Sequence, residues 1–232
     1  SPVSAALKTI FGLQSPLTAF STGSFILFGL SLLTLFTFGP TNVGTTYILR
    51  NLARGDAVFM WSDFWYAVKR NLKQGILLGI LDLVVSFLMV FNLRYYYSGL
   101  NGGFTGGIMF YLSLAMLILW FYMRFYMYLL LVTFDLSIPK ILKNSLIFSI
   151  IGFKRNFMAT LGILVLLLLN YMVFVYVQPL GIVLPLVLTL SNGAFMSTYA
   201  AYFKIKEIMI DPYAEKPEAP SEEPLAKDDV SN

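Results

Sequence analysis

The chain has 232 residues, a formal charge of +4, 58% hydrophobic residues and only 12% charged ones, a composition that excludes an ordinary water-soluble domain and points to a membrane protein. It contains neither Cys nor His, which removes thiol nucleophiles, disulfides, imidazole bases and the thiolate or imidazole ligands of most metal sites. Proton chemistry is left to Asp, Glu, Lys and Tyr, and the redox compartment stays open.

A membrane-crossing helix needs about 20 mainly apolar residues. Five stretches qualify, at about 17–38, 72–93, 107–132, 157–177 and 180–203. The predicted fold is therefore all-α and polytopic, with a transmembrane helical unit over 1–210 and a disordered acidic tail over 211–232. The first stretch carries no small-residue cleavage pattern and is expected to be a retained helix that stops at Gly39 and Pro40. A separate helix is predicted in "NVGTTYILRNLARGD", closing with Arg54 in its last turn and Gly55 as its cap.

In "WSDFWYAVKRNLKQ" the apolar Trp61, Phe64, Trp65, Val68 and Leu72 fall at helical spacing, with Asp63, Lys69, Arg70 and Lys73 on the other face. Such a helix lies on a membrane surface or against a partner. The same pattern recurs in "SIPKILKNSLIFSIIGF", where Pro139 suits a first helical turn and Ile138, Ile141, Leu142 and Leu146 share a face. Lys154 and Arg155 follow at the next basic turn. "AVKRNLKQGILLGIL" and "GFKRNFMATLGILVL" form a weak internal repeat; duplication accounts for it, and so does a topology that places basic turns at one surface.

Lys and Arg cluster between the first and second spans, between the third and fourth, and after the fifth. The opposite connections, "YYYSGLNGGFTGG" and "VQPLG", carry none beyond Arg94 at the rim. The positive-inside rule then puts the N-terminus outside and the C-terminus inside, with Tyr95, Tyr96 and Tyr97 in an outer aromatic belt. From Asp211 the composition turns to Pro, Ala, Glu and Asp, as expected of a solvated tail.

Within this frame Asp82 is anomalous, a carboxylate inside the apolar "LGILDLVVSF". At ~1.5 Å per residue it stands about 14 Å from the inner surface, and Arg124 in "FYMRFYMY" about 16 Å from the same surface. Consecutive spans are commonly neighbours, so an Asp82–Arg124 ion pair is expected across the second and third spans. It serves either to pin two helices or to handle a polar ligand. Tyr122, Tyr126, Asn170, Ser191 and Asn192 could extend the patch, although Asn in a span also serves as interhelical glue. Neither paired aspartates, a Ser with His, nor an H-E-x-x-H pattern is present, so no catalytic residue, metal or cofactor is expected. Nucleic-acid binding is not expected either.

"GPTNVGTTYILRNLARGDAVFMWSDFWYAVKRNLKQ", with "SP" at Ser15–Pro16 and the later "TFDLSIPKILKNSL", resembles the YesL-like family of bacterial membrane proteins over approximately residues 15–168. The resemblance implies a multi-pass protein of the bacterial cytoplasmic membrane associated with carbohydrate uptake, and no activity. Three classes follow. The first is an accessory subunit of a sugar ABC importer, docked through Trp61, Phe64, Trp65, Lys69, Arg70, Lys73, Lys154 and Arg155 or anchored to lipid by them. The second is a small autonomous transporter or channel using Asp82 and Arg124. The third is a membrane-tethered sensor or chaperone. An ABC permease proper is disfavoured because no loop resembles the "EAA" coupling segment.

Overall fold

The structure, a computed structural model, describes residues 22–98, 104–176, 183 and 188–213. These form helices α1 (Thr22–Arg54), α2 (Met60–Arg70), α3 (Leu72–Ser98), α4 (Phe104–Thr133), α5 (Ile138–Ile151), α6 (Phe153–Tyr176) and α7 (Leu190–Ile205), with no strand among the described residues. A π-helical turn, Lys206–Ile210, and a 3₁₀ turn, Asp211–Tyr213, extend α7. The remainder of the expected acidic tail, 214–232, lies outside the described residues, as do parts of the first and fifth expected spans. Three described helices are long and apolar enough to cross a membrane: Leu72–Tyr97, Phe104–Thr133 and Phe153–Tyr176. Phe87, Val90, Phe91, Leu168 and Leu169 point outward from them, an exposure that suits a hydrocarbon surround and not water.

α4 is the central element, packed against α1, α3, α5 and α7. Its C-terminal half is buried nearly all round, from Tyr122 through Val132 with Arg124 as the exception, which is the signature of a core helix. α6 packs chiefly on α7.

One boundary differs from the sequence expectation. Gly39 and Pro40 do not stop the first helix; α1 runs unbroken from Thr22 to Arg54 with Pro40 inside it. Pro40 removes a single donor, the one that would serve the Phe36 carbonyl, and an otherwise intact helix tolerates that loss when neighbours support it. The side chains of Thr37 and Asn42 bond back to the Leu33 and Phe38 carbonyls on either side. Gly39 has a different task. It meets Gly75 and Gly79 of α3 with almost no space between the backbones, so that a Cβ on Gly39 would overlap the Gly75 carbonyl and one on Gly79 would overlap Gly39 itself. Small residues four apart on one helix face permit such an approach. The true end of α1 is at Arg54, where Gly55 adopts φ 80°, a conformation that a side chain disfavours.

α2 ends at Arg70, and Asn71 breaks the chain before α3 by bonding its side-chain amide to the Ala67 carbonyl. The second basic turn differs in register. There the break is at Gly152, and Lys154 and Arg155 already lie in the first turn of α6. The two halves therefore match in sequence without matching in structure, which favours topology over duplication as the source of the repeat. α5 begins at Ile138 with Pro139 in its first turn. Its buried residues are Ile141, Ser145, Phe148 and Ser149, while Leu146 is exposed. The packed stripe thus turns away from Leu146, because α4 takes the side that carries Ser145 and Phe148.

Candidate functional site

The helical repeat builds the site around Asp82 from two short ladders. On α3, Asp82 and Ser86 stand one turn apart; on α4, Trp120, Arg124 and Tyr128 stand at successive turns. Asp82 is fully buried. The Nε of Arg124 lies 2.9 Å from its Oδ1 and 3.0 Å from its Oδ2. The Tyr128 hydroxyl donates to Oδ2 at 3.1 Å, and Ser86 donates to Oδ1 at 3.3 Å. Trp120 in turn donates its indole N–H to the Ser86 hydroxyl at 3.0 Å. A buried carboxylate is tolerable when its oxygens are filled in this way. Arg124 is the exposed partner, with 35% of its side chain accessible, and its guanidinium lies 5.9 Å from the Phe38 ring centre.

Tyr128, Ser86 and Trp120 are not among the residues that the sequence singles out. Their signal is the helical step from Arg124 and Asp82. The polar side chains that the sequence does single out make other bonds. Tyr122 sits in an aromatic cluster with Phe121, Phe125 and Phe153. Tyr126 donates to Asn156 at 2.8 Å and stacks on Phe148, while the Asn156 amide donates to the Ser149 carbonyl. This ties α4, α5 and α6 together. Asn170 joins α6 to Thr189, just before α7. Asn192 bonds the Leu188 carbonyl in the first turn of α7, beside Ser191.

The basic surface is divided. Arg50 is buried and not a free surface charge: it donates to the Val132 carbonyl at 2.7 Å, closing the end of α4, and lies over the Tyr47 ring at 4.6 Å. Arg155 is bound within the chain to Glu207 at 3.0 Å. Lys204 also bonds Glu207, and that hydrogen bond holds the Glu207 carboxyl below the usual carboxylate range. Lys154 is exposed. On α2, Ala67 and Val68 are buried and Phe64 packs against Gly44 of α1. Trp61 and Trp65 instead meet edge to face at 5.8 Å, with Trp61 76% exposed. Lys69, Arg70 and Lys73 line a cleft of about 520 Å³ together with Asp135. Asp63 accepts the Phe59 N–H at 2.9 Å and so closes the start of α2.

A family model described as "Protein of unknown function, DUF624" matches residues 19–93. That stretch holds α1 from its start, α2 and most of α3, including Gly39, Gly75, Gly79 and Asp82, and it ends before α4. The description supplies no activity. No curated protein and no solved structure matches the chain.

Proposed function

We propose that this is a multi-pass protein of the bacterial cytoplasmic membrane, with five spans, N-terminus outside and C-terminus inside, acting as an accessory partner of a carbohydrate ABC importer. The observation that carries the proposal is the divided surface of α2. One edge of that helix packs on α1, while its aromatic edge and the adjoining Lys69, Arg70 and Lys73 remain open at the basic end of the bundle. Exposed Trp beside fixed cations suits attachment to a neighbouring membrane protein or to lipid headgroups. The filled hydrogen-bond shell of Asp82 supports a holding role for the ion pair. The resemblance to the YesL-like family, compatible with the matched domain of unknown function, supplies the link to carbohydrate uptake.

Purification in mild detergent tests this. The wild-type chain should bring down permease and ATPase subunits in fixed ratio, and Lys69→Gln with Arg70→Gln should release them without changing membrane insertion. A complex indifferent to both substitutions removes α2 as the docking element. Recovery of the chain as a homo-oligomer alone favours a second reading, a small autonomous transporter, which draws on the polar cavity beside Arg124.

A further inference from the structure

The pair with Asp82 uses only one edge of the Arg124 guanidinium. Its Nε faces the carboxylate, and among the described residues no protein acceptor meets the two terminal nitrogens. Guanidinium carries five N–H donors and no acceptor, so the remaining edge is left with donors to offer to an oxygen that the described residues do not supply. Arg124 lines a half-open cavity of about 160 Å³ between α1, α4 and α7. Beside Arg124 the wall carries the hydroxyls of Thr45, Thr46 and Thr198, while Leu49, Phe121 and Phe125 supply an apolar remainder. Thr198 is buried on the same wall.

We propose that this cavity is a binding site for a short-chain monocarboxylate. The free edge of Arg124 offers two parallel N–H donors at the spacing of two carboxylate oxygens, and the threonine hydroxyls can donate to the same head. The apolar walls suit a short hydrocarbon body. The size fits as well, since a cavity of ~150 Å³ holds a ring of about six heavy atoms. Asp82 does not compete for the donors, because its own oxygens are taken by Tyr128, Ser86 and the Nε of Arg124. This inference rests on the cavity alone and stands apart from the accessory role, so failure of either leaves the other in place.

Thermal unfolding of the full chain in lipid nanodiscs, with sodium butyrate titrated against sodium chloride and glycerol, reads it out. Butyrate should raise the midpoint saturably, by several degrees, where equal chloride or glycerol does not. Ala194→Leu narrows the cavity while leaving Asp82 and Arg124 themselves unsubstituted, and should abolish the butyrate shift. Thr198→Val, a smaller change, should raise the half-saturating concentration about tenfold, the loss of one hydrogen bond to a charged group. A shift reproduced by chloride, or retained in full in both variants, overturns the site. A response to glycerol equal to that to butyrate overturns its ligand class.

Discussion

Arg124→Gln should destabilise the chain in detergent by about 3 kcal/mol, and the double variant with Asp82→Asn should be more stable than the sum of the two single losses predicts. Removing Arg124 strands a carboxylate with no accessible surface, held only by Tyr128 and Ser86. Removing Asp82 is less severe, since Arg124 is the exposed partner and borders a polar cavity. Replacing both leaves two amides that bond each other without a charge to bury. Tyr128→Phe deletes one donor to the carboxylate and should cost about 2 kcal/mol. Chemical unfolding of the four proteins measures the coupling. Strict additivity between positions 82 and 124 would mean that the contact contributes nothing.

The second large effect belongs to the α1–α3 crossing. Gly39→Ala and Gly79→Ala should each destabilise by about 2 kcal/mol or more, because the added methyl meets backbone rather than a side chain able to move aside. The sign is informative, since Ala is favoured over Gly by ~1 kcal/mol inside a helix. Gly29→Ala and Gly107→Ala meet nothing within 4 Å, so they should be neutral or slightly stabilising in the same unfolding assay. If all four behaved alike, the close approach would have no energetic weight.

The legible and illegible features follow from what a helix makes periodic. Depth along a helix is readable because the rise is fixed, so residue counting alone sets Asp82 and Arg124 at one level. The ladder mates Ser86, Trp120 and Tyr128 are equally within reach, one turn away on the same faces. Gly39 and Pro40 mislead because a Gly-Pro pair is a local stop signal, whereas the contact that keeps α1 going past it comes from Gly75 and Gly79 on another helix. The spacing of those two glycines carries that signal. Arg50 is unreadable for the same reason, as its partner, the Val132 carbonyl, is a backbone group at the far end of α4. The face of α5 is legible except at its edge, where the packed stripe rotates past Leu146, because apolar stripes in an apolar sequence have no sharp boundary.

The docking role proposed for α2 depends on how the bundle sits in the membrane, and single-cysteine labelling in intact cells tests that placement most directly. The chain has no Cys of its own, and Ser62 on α2 and Tyr97 at the far end of α3 are both exposed. An impermeant maleimide should react with Tyr97→Cys in intact cells and with Ser62→Cys only after the membrane is permeabilised. Labelling of Ser62→Cys alone in intact cells would contradict the orientation, and labelling of both would contradict the passage of α3 through the membrane.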